Sequence, residues 1–350
     1  MALPFKEALS RLENRHVKDT RPLIPPQILQ EDLPLTLLAA QTVIEGRTQT
    51  ENILKSSDDR LMVVILTIVM IRPCLVNNVD AAMEYAHLLK TYADEAKEDL
   101  FIVMHVYFEK PRTTVGWKGL INDPNLNGTF QINKGLRIAW TLLFDIAKLG
   151  LPAAIVAHTT ESQVQNRLLH FPCLLDSRIP LTVGIAIDAC HAAQLGHVFF
   201  SVGKEGLSSI VETEGNPNDH VILCGGASGL NYAAHFVREC GLKFGKTGLS
   251  QKIMIDCSHE NSFKQHKNQA IVADDIAHQM AEEDTSHMIM GIMIESNLVE
   301  GRQDIPLSGP LGLRYGQSVT DACMDWDMTV EVFNRLREGV KACRARIEYM

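Results

Sequence analysis

The sequence has few of the features that mark a membrane, secreted or nucleic-acid-binding protein. Its longest apolar run, residues 61–71, is too short to cross a bilayer as a helix, so no membrane contact is expected. Residues 1–20 have mixed charges and no apolar stretch followed by small residues, so a secretory signal is not predicted and a cytoplasmic protein is expected. The formal net charge is -9 and no cluster of Lys and Arg occurs, which argues against a nucleic-acid surface.

Cysteine pairs at redox or metal-binding spacing are also missing. The eight cysteines are scattered without a CxxC pair, and a reducing cytoplasm would keep them as thiols. Most are expected in the core, where free cysteine is usually found. A cysteine at the carboxyl end of a barrel strand would be different, because barrels place their chemistry there.

Short apolar, β-branched runs alternate with segments long enough to form helices. The strands predicted on this basis are 61–71, 101–108, 153–157, 220–224, 253–257 and 288–294, with a further strand at 181–187. Residues 79–96 and 133–149 have the length of crossover helices, so the strands should run parallel with helices outside. With 350 residues and 46% hydrophobic content, the chain is predicted to be an α/β barrel of the (β/α)8, TIM type.

Two segments depart from this alternation. Residues 1–30 are polar and rich in proline, which favours an extended arm, and residues 33–55 show helical spacing of leucine and valine. We therefore predict that residues 1–57 are an N-terminal arm and helix that contact another subunit, and that 58–350 form the catalytic barrel. Residues 197–213 have the pattern of two strands around a turn, which predicts an inserted β-hairpin.

Several polar residues follow the predicted strands and would meet at one mouth of a barrel: Cys74, Lys110, Arg112, His259, Glu295 and Asp321. A thiolate, an imidazole and two carboxylates form a ligand set that suits Mn, Fe, Co or Zn, and such a metal can polarise a carbonyl. Each residue alone is ordinary, and their spacing is not a metal signature.

Residues 109–124, EKPRTTVGWKGLINDP, resemble a long and specific segment of the class I 3-deoxy-D-arabino-heptulosonate 7-phosphate (DAHP) synthases. Further segments that match this family are 58–60, 159–163, 256–265, 294–303 and 315–326. The resemblance extends over nearly the whole chain. It is closest to the bacterial and fungal branch whose enzymes respond to aromatic amino acids.

The resemblance implies a dimeric or tetrameric barrel that joins phosphoenolpyruvate to erythrose 4-phosphate with a divalent metal, in the shikimate pathway of aromatic amino acid biosynthesis. By matched motif, the metal ligands are Cys74, His259, Glu295 and Asp321. The loop that meets the two substrates corresponds to Lys110, Arg112, Thr113 and Thr114. Lys110 and His259 are the expected catalytic residues.

The half of the site that holds phosphoenolpyruvate departs from the family. Arginines of the family are replaced by His105, His158 and Cys224, and its phosphate-binding lysine segment is replaced by unrelated sequence at 176–183. Arginine makes a permanently charged, bidentate contact that neutral histidine or cysteine cannot make. Each such bond contributes about 1.5 to 3 kcal/mol, so phosphoenolpyruvate should bind orders of magnitude more weakly. The two histidines could still carry partial charge or donate protons.

Two further changes bear on the site. Arg72 replaces a glycine beside Cys74, where it either supplies a new anion contact or blocks the site. After residue 154 roughly one βα unit of the family is missing, and a barrel closes only for a compatible number of strands. A seven-stranded barrel, substitution by another segment, and an aberrant gene model or splice form all fit this deletion.

Three functions follow from this pattern. The first is an aldol-type, metal-dependent enzyme with an altered donor, acting on an oxo acid and an aldehyde or sugar phosphate, because the metal ligands remain while the donor clamp is lost. The second is a genuine DAHP synthase whose clamp is rebuilt from Arg72, His105, His158, Arg178 and Lys204. The third is an inactive paralogue that assembles with an active synthase and regulates it.

Overall fold

The computed structural model describes residues 12, 16–68, 78–108, 117–154, 183–226, 229–306 and 312–349. Its strands, in chain order, are β1 (Leu61–Ile68), β2 (Leu100–Tyr107), β3 (Ala153–Ala154), β4 (Val198–Val202), β5 (Ser208–Glu212), β6 (Val221–Leu223), β7 (Ile253–Asp256), β8 (Ile289–Glu295), β9 (Val299–Arg302) and β10 (Gln317–Ser318). Its α-helices are α1 (Pro26–Asp32), α2 (Leu37–Leu54), α3 (Asn78–Ala96), α4 (Ile132–Lys148), α5 (Val183–Gln194), α6 (Ala234–Lys246), α7 (Asn268–Glu282) and α8 (Trp326–Glu348).

Six parallel strands form the central sheet, in the order β3-β2-β1-β8-β7-β6. The first strand therefore pairs with the last, with Leu66 of β1 opposite Glu295 of β8. Each remaining pair joins two of these six strands that follow one another along the chain. A barrel has the same circular order, in which the first strand also pairs with the last. The α/β fold class and the six strands predicted with the helical crossovers are confirmed.

The two faces of β1 belong to two different parts of the core. Leu61, Val63 and Ile65 pack with the outer helices in the largest apolar cluster. The alternate residues of β1 pack in a second cluster that also contains Ala154 of β3 and Ile222 of β6, the strands at the two ends of the sheet order. The sheet is therefore curled around an apolar interior, and burial on both faces explains why its strands are almost continuously apolar.

The N-terminal segment differs in part from the prediction. Helix α2 forms within the predicted range 33–55, and the hydroxyl of Thr36 caps it by accepting a hydrogen bond from the backbone N–H of Ala39 at 3.3 Å. The prediction of an extended arm is wrong for residues 26–30, because they belong to the short helix α1. Proline is tolerated in the first turn of a helix, and burial of Leu29 stabilises this one.

The strand predicted at 181–187 is wrong for the part that the structure describes, because residues 183–194 form helix α5. Ala186 and Cys190 lie one helical turn apart and are both buried, so they form the buried face of a helix. A short apolar run has no periodicity that separates a buried strand from a buried helix.

The predicted hairpin is confirmed as the antiparallel pair β4 and β5. Its turn is tied to α1, since the N–H of Gln27 donates to the carbonyl of Lys204 at 2.9 Å. Phe200 and Ile210 lie opposite each other across the two strands and are 90% and 83% exposed.

The described cysteines lie in the core, where most of them were expected. The cysteines described by the structure are buried: Cys190, Cys224, Cys240, Cys257, Cys323 and Cys343. Among the described helices, none combines the length and apolar character needed to cross a bilayer.

Candidate metal centre

Three of the four predicted metal ligands lie together at the carboxyl ends of the last strands. His259 follows β7, Glu295 is the final residue of β8, and Asp321 lies between β10 and α8. One potential ligand atom from each lies within 4.8 Å of the others. Residues far apart in sequence are thus brought to one edge of the sheet, as expected for parallel strands.

The other residues singled out in the sequence fall into two groups. His105, Cys224 and Lys204 are described: the first two lie in or beside the central sheet, and Lys204 lies in the turn between β4 and β5. The residues that lie outside the described ranges are Arg72, Cys74, Lys110, Arg112, Thr113, Thr114, His158 and Arg178.

A buried carboxylate orients the imidazole of His259. Nδ1 of His259 lies 2.5 Å from Oδ2 of Asp256, while Nε2 lies 3.7 Å from Oε1 of Glu295. A proton on Nδ1, donated to Asp256, leaves the Nε2 lone pair for a metal. This is the arrangement in which a carboxylate holds a metal-binding histidine in one tautomer and one orientation.

Asp256 is fully buried, yet it stays ionised. Burial raises the pKa of its carboxyl group, but the charge of His259 and hydrogen bonds from His259 and Ser258 outweigh that effect and lower the pKa to about 2. Ser258 contributes its N–H at 2.8 Å and its hydroxyl at 2.7 Å, both to Oδ1. The carboxylate therefore remains an acceptor for His259 throughout the neutral range.

Asn261, in the turn after His259, fixes the ends of two strands. Its side-chain amide nitrogen donates to the carbonyls of Leu223 and Asp256, each at 2.9 Å. These carbonyls belong to the last residues of β6 and β7. The turn that carries His259 is consequently held at the carboxyl edge of the sheet.

The segment that carries Asp321 is bound to the end of β8. The N–H of Met324 donates to the carbonyl of Glu295 at 3.0 Å, and the carbonyl of Met324 accepts from Asn297 at 2.9 Å. The hydroxyl of Ser296 lies 2.6 Å from that of Thr329, in the first turn of α8. These contacts hold the segment that follows Asp321 against the end of β8.

The described residues fit a divalent cation. Glu295 is only 5% exposed, and a second carboxylate, from Asp321, lies within 4.8 Å of it, beside an imidazole nitrogen. Two carboxylates so close in a buried place repel each other unless a cation lies between them. An imidazole and two carboxylates are a donor set that such a cation accepts.

His105 and Cys224 lie on the inner side of the sheet. His105 is fully buried on β2 and lies on the same face of the strand as Phe101, Val103 and Tyr107, which belong to the inner cluster. Its ring centroid is 4.8 Å from that of Tyr107. Cys224 follows β6 and belongs to the same inner cluster. Neither position carries the permanent charge of an arginine.

Sequence reasoning missed the residues that hold the ligands. Asp256 and Gln269 are both buried and both contact a ligand residue. The Asp-x-x-His spacing of Asp256 and His259 at the end of a predicted strand was a usable signal. Gln269 offers no such signal, because its contact with Glu295 exists only in the folded chain.

A parallel α/β barrel that brings an imidazole and two carboxylates together at the carboxyl ends of its strands defines the class of barrel enzymes. The chain belongs to the DAHP synthetase I family, whose model matches residues 41–334. The resemblance found in the sequence is thereby confirmed. An enzyme of the aldolase type that serves the shikimate pathway follows from this membership.

Relatives of the chain carry names that agree with the family. It is 44% identical over 355 residues to the Phe-sensitive phospho-2-dehydro-3-deoxyheptonate aldolase of Escherichia coli, with 95% of this chain and 98% of that protein covered. It is 40% identical over 358 residues to the tyrosine-inhibited enzyme of the same name from Schizosaccharomyces pombe, with 95% and 94% covered.

A solved structure supports the same fold. The phospho-2-dehydro-3-deoxyheptonate aldolase of Francisella tularensis matches with a TM-score of 0.81 and 40% identity, covering 94% of this chain and 99% of that chain. The barrel fold predicted from the sequence is confirmed by this similarity.

Proposed function

We propose that this chain is a DAHP synthase, which condenses phosphoenolpyruvate with erythrose 4-phosphate and releases inorganic phosphate. The observation that carries the proposal is the meeting of His259, Glu295 and Asp321 at the carboxyl edge of the sheet. The names of relatives 40–44% identical over nearly the whole chain support this reaction more than an altered donor. We therefore rank the genuine synthase above the altered-donor enzyme that the lost arginines suggested.

The proposed metal is Mn, Fe, Co or Zn, held by the three described ligands together with Cys74. When bound, such a metal supplies a Lewis acid for the aldehyde carbonyl. Asp256 keeps the imidazole of His259 in the tautomer that presents Nε2. The proposed role of Lys110 is contact with both substrates. The aldehyde phosphate is assigned to Arg112 and Thr113, in the loop that also contains Thr114.

The decisive test is turnover by purified protein that is stripped of metal and then reloaded. We expect phosphate release from the two substrates only after Mn, Fe, Co or Zn is added. Metal binding without turnover on phosphoenolpyruvate would transfer the proposal to the altered-donor enzyme. Absence of both metal binding and turnover would favour the regulatory paralogue, which predicts co-purification with an active synthase and a change in its feedback inhibition.

The replaced arginine positions give a prediction about affinity. Cys224→Arg should lower the KM for phosphoenolpyruvate by about 10-fold or more, because one charge-assisted hydrogen bond contributes about 1.5 to 3 kcal/mol. The side chain would enter from the end of β6 into the mouth of the sheet. Steady-state kinetics with varied phosphoenolpyruvate measure this change, and kcat should change less than KM.

Cys224→Leu is the matched control for this variant, since it also enlarges the side chain but adds no charge. We expect it to leave the KM for phosphoenolpyruvate unchanged or raised. Equal effects of the arginine and leucine variants would show that position 224 does not contact the donor.

An altered donor remains the second candidate because of one observation. His105 and Cys224 occupy the inner face of the sheet without the fixed positive charge that a phosphate or carboxylate requires. An unphosphorylated 2-oxo acid would need fewer cations. Incubation of the metal-loaded protein with erythrose 4-phosphate and a series of 2-oxo acids distinguishes this candidate by the product formed.

We also propose that the chain forms a homodimer or homotetramer through the hairpin and the N-terminal segment, in the cytoplasm. Phe200 and Ile210 present a contiguous apolar pair to solvent, and Leu37 and Ile44 of α2 are likewise exposed. Phe200→Asp should shift the protein toward smaller oligomers in sedimentation analysis. The control is Ile271→Asp on α7, which is exposed but distant in sequence from both segments and should leave the oligomer intact.

A further inference from the structure

Gln269 makes an unusual contact with the backbone of a metal-binding residue. Its Oε1 accepts a hydrogen bond from the N–H of Glu295 at 2.8 Å, and its Nε2 donates to the carbonyl of Glu295 at 3.2 Å. The side chain of Gln269 is 0% exposed. One amide group thus satisfies both backbone groups of Glu295, as a neighbouring strand would.

The contact lies at the point where β7 stops pairing with β8. On the β7 side of β8, backbone pairing ends when the N–H of Cys257 donates to the carbonyl of Met293 at 2.8 Å. The chain then turns away to carry His259. Beyond this point Gln269, from the first turn of α7, takes the place of β7 beside Glu295.

Gln269 also connects the segments that carry the ligands. Helix α7 follows the His259 turn, and the side chain of Asn268 donates to the carbonyl of Ser262 in that turn at 3.0 Å. The carbonyl of Glu295 receives a second hydrogen bond, from Met324 of the Asp321 segment. The backbone of Glu295 is therefore bonded to both of the other ligand segments.

We propose that Gln269 is a positioning residue for the metal centre, which fixes the Glu295 carboxylate relative to His259. The inference rests on the proposed metal site and names what sets its geometry. Without Gln269 the N–H of Glu295 would be buried without its partner, and the end of β8 would shift to satisfy it. Loss of residues that orient a ligand typically costs about 10–100-fold in metal affinity.

The test compares two glutamines of the same helix. Gln269→Met keeps the length of the side chain and removes both hydrogen bonds. Gln279→Met is the matched control, because Gln279 is also buried and its Nε2 donates to the carbonyl of Tyr232 at 2.8 Å, away from the ligands. Metal affinity is measured by competition with a chelator, and the ligand field by the visible spectrum of the Co²⁺-loaded protein.

We expect Gln269→Met to lose about 10–100-fold in affinity for Co²⁺ and to change the Co²⁺ spectrum. Gln279→Met should lower the melting temperature without either effect. Equal affinities of the wild type and Gln269→Met, or equal losses in both variants, would overturn the role of Gln269 and leave the metal centre intact. A wild type that binds no metal would overturn the proposed centre itself.

If Gln269→Met does not fold, Gln269→Asn and Gln279→Asn replace the pair. The shorter amide retains its polarity but cannot hold both hydrogen bonds to Glu295. The same difference in metal affinity is expected, and its absence counts against the proposal.

Discussion

Replacement of Glu295 by glutamine should lower both metal affinity and turnover by more than about 100-fold while the protein stays folded. The carboxylate is buried at the end of β8, and the amide has nearly the same shape but no charge, so it is a poor ligand. Even residues that only orient a ligand contribute about 10–100-fold to affinity, so loss of a ligand should cost more. Chelator competition and steady-state kinetics measure the two effects.

Glu300→Gln provides the control for that variant. Glu300 lies on β9, and its carboxylate contacts His266 at 3.3 Å and Lys267 at 3.6 Å. Its removal deletes a glutamate close in sequence without touching the proposed centre, so metal affinity should be unchanged. Wild-type affinity in Glu295→Gln would show that this carboxylate is not a metal ligand.

Asp99→Asn should lower the free energy of unfolding by about 2 kcal/mol and leave metal affinity unchanged. Asp99 is buried immediately before β2, and its carboxylate contacts Arg337 at 3.1 Å, Arg344 at 3.1 Å and Lys341 at 3.5 Å. Breaking a buried ion pair usually costs about 3–5 kcal/mol. We expect less here because the three cations are partly exposed and water can solvate them. Urea denaturation measures the change.

Asp274→Asn is the corresponding control at a more exposed ion pair. Asp274 of α7 pairs with Arg335 of α8, and their side chains are 39% and 52% exposed. Exposed pairs typically contribute about 0–1 kcal/mol, so this variant should unfold nearly like the wild type. Equal losses in the two variants would contradict the importance of the buried Asp99. A loss of metal affinity in Asp99→Asn would show that the ion pairs of Asp99 also affect the proposed metal centre.

The sheet could be predicted from the sequence because its strands are buried on both faces. The runs at 61–71, 101–108 and 253–257 contain little but apolar residues, and a strand begins within one residue of the start of each. Local pattern failed at residues 183–194, where a helix and a strand would bury similar residues. It also failed at α1, where two adjacent prolines suggested an extended chain but one of them begins a helix.

The candidate metal centre was predictable only through resemblance to a family. No spacing joins His259, Glu295 and Asp321, since the sheet brings them together across long segments of chain. The contact between Gln269 and Glu295 depends on where α7 begins relative to β8, which composition does not specify. The positions where the family has arginine and this chain does not bear only on affinity for the donor substrate. The relatives, in contrast, match nearly the whole chain, which supports the reaction proposed above.

The pairing of β1 with β8 sets the order of events during synthesis. Among the strands of the central sheet a ribosome makes β1 first, but β8, which covers one of its edges, is made only after β2, β3, β6 and β7. Until then the nascent protein exposes an apolar strand edge, which is a site of aggregation, so chaperones should bind this intermediate. The three described residues of the proposed metal centre also follow residue 258. Loading of the proposed metal must therefore follow synthesis of the segment that carries Asp321.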